Sequence, residues 1–361
     1  MKYYMPVKVY DETNCVRNHA SELAALGRKA LIITGRHSAK ACGALDDVIA
    51  ALTTHGCTFC HFSEVEENPS VETVVLAAEY GLEEGADFVI GIGGGSPMDA
   101  AKAAAFLMDR DRPEAGYLYN KDIETTALPV AAVPTTCGTG SEVTAVSVLT
   151  MHNKRTKSSI PHKIFPELAL IDGKYLTGAP FSVIVSTTAE ALAHLIESYL
   201  SSKADDYSRY TALSGLQIWS TVRGILVGER PASGEDLAAL MRASTYGGMA
   251  IAQTGTSLPH ALSYIVTYDT KLSHGSAVGI FLTGFLTEAS EEDREKILTA
   301  AGFADLGEFS AFMKEILPNP VVPEETMRRT FEAVAAAPAK MESCCFKADE
   351  EMLHRIIASA G

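Results

Sequence analysis

Glu190 and His194 stand four residues apart in STTAEALAHLIESYLS, a spacing that sets both side chains on one face of a helix. Further along, His260 opens HALSYIVTYDTKLSH and His274 closes it. One carboxylate and three imidazoles make a competent set for a divalent transition metal and leave a coordination position open for substrate. Each residue alone also has an ordinary reading. Thr187-x-x-Glu190 matches a capping box, in which the glutamate would merely close a helix N-terminus. His194 would suit a hydrogen-bonded core position, and His274 precedes a glycine, as many turn residues do. Only the combination points to a metal.

A second kind of chemistry is written in GIGGGSPMDAAK, residues 91–102, where bare glycines stand between an apolar run and an alanine-rich stretch. At a strand-to-helix junction such glycines permit positive φ and close backbone approach, and the helix N-terminus offers unpaired N–H groups to an anion. The pattern lacks the last glycine of G-x-G-x-x-G, and no G-K-[ST] follows, so it is neither the usual Rossmann fingerprint nor a Walker loop. PTTCGTGSE, residues 134–142, again places glycines and hydroxyls after a strand-like run. Two such loops at the ends of neighbouring parallel strands would face one crevice.

The elements that must carry these loops alternate. KALIITG (29–35) precedes a helical pattern near 43–55, then come CTFCHFSEV, a helix near 70–84, ADFVIGIGGG, a helix from about 96, and LPVAAVPTT. Short β-branched runs alternating with helices predict a doubly wound, mostly parallel sheet covered on both faces. From Ser186 onward the spacing is helical, so a dinucleotide-binding α/β domain over 1–177 and a helical, metal-binding domain over 178–361 are expected, divided at Gly178-Pro180.

With 361 residues, more than one core is expected. A net charge of -15 without a basic block excludes a nucleic-acid partner. No run approaches a membrane span and MKYYMPVKVYDETNC does not read as an export signal, so a soluble cytoplasmic protein with reduced thiols is expected. Cys57-x-x-Cys60-His61 has the spacing of haem attachment, but its segment reads as a strand, and Cys344 and Cys345 read as structural or incidental.

GIGGGSPMDAAK, VPTTCGTGSEVT, AEALAHLIESYLS and PHALSY…KLSHG, in this order, resemble the iron-containing (group III) alcohol dehydrogenases over essentially the whole chain. The resemblance implies a dehydroquinate synthase-like fold, an active site in the cleft between two domains, and NAD(P)-linked interconversion of an alcohol with an aldehyde or ketone. It also implies a homodimer. By motif position it assigns Gly94, Gly95, Ser96 and Asp99 to the cofactor loop, Thr135, Thr136 and Thr139 to the second loop, and Asn68, Pro69 and Lys157 to the cofactor's surroundings. The metal would be Fe(II), with Zn, Co or Mn as alternatives, acting as a Lewis acid on the alcohol oxygen while hydride leaves for nicotinamide C4. Two departures stand out. Glu190 occupies the place of the family's usual aspartate, so helix or metal must shift by about 1 Å to keep the bond. Tyr264 stands where many members carry histidine; with His274 it forms the candidate catalytic pair, as proton shuttle or substrate orienter.

The nicotinamide preference has its own argument. After ALIIT the chain reads Gly35-Arg36-His37-Ser38-Ala39-Lys40, with no carboxylate before Asp46. A ribose 2′-hydroxyl favours an acidic side chain there and a 2′-phosphate a cation, so NADP is expected over NAD. Two other functions compete. A lyase resembling 3-dehydroquinate synthase would need several basic residues at its site, where Lys157 and Arg155 are the candidates; a nucleotide-binding sensor without turnover would explain Glu190 and Tyr264.

Overall fold

The computed structural model describes residues 3–154, 156–317 and 321–360, and its chain divides into two compact units. One comprises residues 5–136 and 140–179; the other comprises 1–4, 137–139 and 180–361.

The first unit is built on six parallel strands in the order β1-β8-β5-β4-β2-β3, where β1 is Lys8–Asp11, β2 Lys29–Thr34, β3 Thr58–Phe62, β4 Phe88–Gly93, β5 Val130–Pro134 and β8 Leu168–Ile171. Alternate residues serve opposite faces, as the period of two requires. Ala30, Ile32, Phe88, Ile90, Ile92, Ala131 and Val133 pack with the Ala44–Thr54 helix. Leu31, Ile33, Val89 and Val130 pack with the helices Val71–Glu83 and Gly95–Met108. Strands buried on both sides in this way explain the unbroken apolar runs ALII and FVI. The doubly wound sheet is therefore as the alternation implied.

The edge strand β1 and an antiparallel hairpin, β6 (Val148–Met151) with β7 (Thr156–Ser159), escape the sequence reading. Four-residue strands with polar neighbours carry too little periodicity to be seen. Cys60 lies in β3 with its thiol against Ala30 O, while the Cys57 thiol faces Gly27 O. All seven cysteines are free, and the strand reading of this segment holds.

The strand order makes the site. The chain leaves β2 for β3 on one side and returns to β4 on the other, so the carboxyl ends of β2 and β4 flank the point where the winding reverses. Ligands of open α/β sheets lodge at such a point.

Among the described residues of the second unit no strand longer than an isolated bridge occurs. Its central helices are Phe181–Tyr199, Asp206–Ser220, Gly234–Thr254 and Leu258–Thr270. Capping boxes at Asp205 and Ser233 start two of them, and Pro259 sits in the first turn of the last. Trp219 is fully buried among Phe303 and Phe312, and its indole N–H donates to Thr188 O at 3.0 Å, tying the Asp206–Ser220 helix to the one bearing Glu190 and His194. No described helix is long and apolar enough to cross a membrane.

Candidate metal centre and nucleotide cradle

In the helical unit, Glu190, His260 and His274 each offer one ligand atom, and these atoms lie within 4.8 Å of one another. Glu190 sits deep inside the Phe181–Tyr199 helix, whose N-cap is Pro180, so the capping-box reading fails. His260 comes from the first turn of the Leu258–Thr270 helix and His274 opens the short helix His274–Gly279. His194 stands outside that three-residue set. Its ring stacks on His260, centroids 4.6 Å apart, and its Nδ1 bonds Gly138 O at 3.1 Å. Nδ1–H donation to a carbonyl leaves Nε2 as the lone-pair nitrogen, the form a metal ligand needs.

Burial pushes both His194 and His260 down to about 3, His194 further depressed by the neighbouring His260, so both rings are neutral at physiological pH. A metal requires neutral imidazole. His260 Nε2 is buried without a hydrogen-bond partner, an arrangement that costs free energy unless something fills it. The donor set and this orphaned nitrogen fit a divalent cation.

Two glycines set the spacing. A Cβ on Gly138 would lie 2.7 Å from Glu190 Oε2 and 2.9 Å from Thr187 Cβ, so the bare residue makes room for the glutamate's longer side chain. A Cβ on Gly275 would lie 1.9 Å from Ser186 O. The glycine after His274 thus lets the His274–Gly279 helix press against the Phe181–Tyr199 helix, which brings His274 Nε2 to 3.9 Å from Glu190 Oε1. Tyr264 lies parallel to His274 at 6.2 Å, and burial raises its phenol to about 12.

Sequence reasoning overlooked Glu197. Fully buried, it accepts from His260 Nδ1 at 2.5 Å and from the backbone N–H and hydroxyl of Ser257 at 2.5 and 3.1 Å. Its signal was available: positions 190, 194 and 197 share one helix face.

In the α/β unit, Gly93 ends β4 with φ of 151°, a conformation side chains rarely adopt, and Gly94 caps the Gly95–Met108 helix with no side-chain bond. That leaves the first-turn N–H groups for an anion. Ser96 Oγ accepts from Asn68 N at 3.0 Å, and Asn68 Oδ1 accepts from Lys157 Nζ at 2.6 Å, which brings together three expected cofactor residues from the Gly95–Met108 helix, the stretch after β3 and β7. The hydroxyls of Thr135 and Thr136, at the end of β5, are buried without hydrogen-bond partners. Bare amides beside orphaned hydroxyls fit a dinucleotide. Thr139 instead clusters with the helical unit, in the segment 137–139.

The carboxylate of Asp99 is engaged by scaffolding. It accepts from Ser141 Oγ at 2.6 Å and Val148 N at 2.9 Å, beside fully buried Lys102, whose Nζ also reaches Val146 O at 2.9 Å. Gly35 is half-buried at the end of β2, and Arg36, His37 and Ser38 are exposed. Arg36 is paired at 2.9 Å with Glu64 from the stretch after β3, so an acid does stand at this corner although none follows soon in sequence. Arg155 lies outside the described residues.

Residues 6–173 match the family described as iron-containing alcohol dehydrogenase, and residues 184–311 match the C-terminal part of the Fe-containing alcohol dehydrogenase family. Long-chain-alcohol dehydrogenase 1 of Geobacillus thermodenitrificans is 30% identical over 305 residues, covering 82% of this chain and 74% of its own length. Lactaldehyde reductase of Escherichia coli is 30% identical over 262 residues, 71% of this chain and 66% of its own. The crystal structure of an iron-containing alcohol dehydrogenase from Thermotoga maritima shares the fold with a TM-score of 0.91 and 32% identity, covering 99% of both chains. With the motifs, the two-part fold and these matches in agreement, the chain belongs to the iron-containing alcohol dehydrogenase family.

Proposed function

We propose that this protein interconverts a small alcohol and its aldehyde, with NADP(H) as hydride carrier and Fe(II) held by Glu190, His194, His260 and His274. Membership of the family makes it an oxidoreductase acting on alcohols, with a nicotinamide cofactor and a metal. The observation that carries the fuller reading is the convergence of Glu190, His260 and His274 around a buried, partnerless imidazole nitrogen. A divalent metal, when bound, supplies Lewis-acid polarisation of the substrate oxygen.

The chain's own residues do the rest. Gly138 O holds the His194 ring, and the amides at Gly94, Gly95 and Ser96 with the hydroxyls of Thr135 and Thr136 receive the dinucleotide. Tyr264 keeps its proton through neutral pH and serves as a donor toward the substrate oxygen, a poor base in this setting. For the 2′-phosphate we assign Arg36, with His37 and Ser38 beside it; this requires Arg36 to exchange Glu64 for phosphate. Glu64 is the one observation favouring NAD, since a carboxylate there suits a ribose 2′-hydroxyl. A cytoplasmic homodimer completes the reading.

The test is anaerobic oxidation of NADPH and of NADH with a panel of short aldehydes, using apo-protein loaded separately with Fe(II), Zn and Mn. Metal-dependent turnover that favours NADPH is expected, and phosphorylated polyols should release no phosphate. Tight nucleotide binding with no turnover under any metal would leave the sensor reading in its place.

A further inference from the structure

Behind the ligand cluster stands a carboxylate that no ligand position accounts for. Glu197 is fully buried in the Phe181–Tyr199 helix, one helix face with Glu190 and His194. Its Oε1 meets His260 Nδ1 at 2.5 Å; its Oε2 accepts the Ser257 backbone N–H at 2.5 Å and the Ser257 hydroxyl at 3.1 Å. Both oxygens are therefore fixed by donors, and the Ser257 donors immediately precede the helix that carries His260.

We infer that Glu197 is a positioning residue for the metal: it fixes the His260 tautomer with the proton on Nδ1 and aims Nε2 at the cation, while its buried negative charge helps balance the ion. The inference rests on the metal reading above. The geometry leaves little alternative for the ring. With Nδ1 donating to Oε1, Nε2 carries the lone pair, and that atom is the buried one without a partner. A carboxylate behind a ligating imidazole raises its basicity and holds its plane, and losing such a partner typically costs about 10–100-fold in metal affinity. Glu190 and Glu197 together set two carboxyl groups on one buried helix face, an arrangement that a divalent ion would match and that is costly to ionise without one.

The conservative variant is Glu197→Gln. It keeps the length, removes the charge, and turns an amide N–H₂ toward either the Ser257 N–H or the His260 N–H, donor against donor. The measurement is competition between the full-length protein and a chelator for Zn(II) or Co(II) alone, beside NADP(H) binding and melting of the metal-free form. Metal affinity about 10–100-fold below wild type, with nucleotide affinity unchanged, is the expected result, whatever the buried amide costs the metal-free fold. A merely structural carboxylate would lower the metal-free melting temperature yet leave metal affinity of the folded protein within about threefold of wild type; that unchanged affinity overturns the inference. Should the variant fail to fold, Ser257→Ala removes only the hydroxyl donor and is expected to weaken Co(II) binding about threefold and shift its d–d spectrum; an unchanged affinity and spectrum overturns the inference as well. A wild-type protein that binds neither ion sinks the metal reading itself, whereas equal binding by wild type and variant sinks only the role of Glu197.

Discussion

At the scale of single residues, the Arg36–Glu64 pair is where the proposed coenzyme preference is tested. Both side chains are well exposed, so their attraction is worth no more than about 1 kcal/mol and a phosphate can displace the carboxylate. Arg36→Ala should raise the KM for NADPH about tenfold, the loss of a charge-assisted bond, with little effect on NADH. Glu64→Gln should act oppositely, lowering the NADPH KM by up to about fivefold as the guanidinium is freed. Steady-state kinetics with both coenzymes reads the two substitutions. Identical responses of NADPH and NADH to Arg36→Ala would show that Arg36 does not touch the 2′-position. Reading along the chain after β2 could not reveal Glu64, because β3 brings it there through parallel pairing with β2.

At the scale of elements, the candidate metal centre depends on how closely two helices meet. Gly275→Ala would drive a methyl into the Ser186 carbonyl, a backbone group that cannot swing aside. Overpacking of this kind costs about 1–3 kcal/mol. The His274–Gly279 helix should move off its partner, carrying His274 from Glu190, and metal affinity should fall at least tenfold in the same chelator competition. Retained affinity would mean His274 is not held by this contact. The Gly234–Thr254 helix offers a pH-dependent test. Asp236 accepts from Ser233 N at 2.8 Å, from Ser233 Oγ at 2.7 Å and from both Arg230 terminal nitrogens at 2.6 and 2.7 Å, and Arg230 foremost holds its carboxyl well below the usual carboxylate range. A depressed carboxylate contributes stability above its unfolded pKa near 4 and loses it as pH falls. Asp236→Asn should therefore cost about 1–2 kcal/mol in denaturant unfolding at pH 7, with the gap from wild type narrowing in acid below about pH 4.

At the scale of the whole molecule, two ligands should stabilise the chain through different residues. A metal at a hundredfold excess over its Kd adds about 2.7 kcal/mol to the form that binds it, or roughly 3–4 °C in melting temperature for a chain of this length. NADP+ should add its own shift. His260→Ala is expected to abolish the metal-driven shift while preserving the nucleotide-driven one in differential scanning fluorimetry. Loss of both would show that His260 serves the nucleotide cradle too, contrary to the present assignment.

The sequence by itself determined the alternation that builds a parallel sheet, the helical second half, the glycine-to-helix cradle and the presence of Glu190, His194, His260 and His274, because strand and helix periods and glycine conformations are local properties of the chain. The capping-box alternative at Glu190 was also local, and it fell only when the helix proved to start at Phe181. Tertiary structure decided the rest. It set Glu197 and Ser257 behind His260, turned Asp99 toward Ser141 and Val148, drew Lys157 onto Asn68, and placed Glu64 on Arg36. Each of these is a polar group finding its partner far along the chain. For all but the exposed Arg36–Glu64 pair, burial removes much of the water that would otherwise satisfy such groups, and in every case the partners are chosen by sheet register and helix packing, which no local pattern encodes.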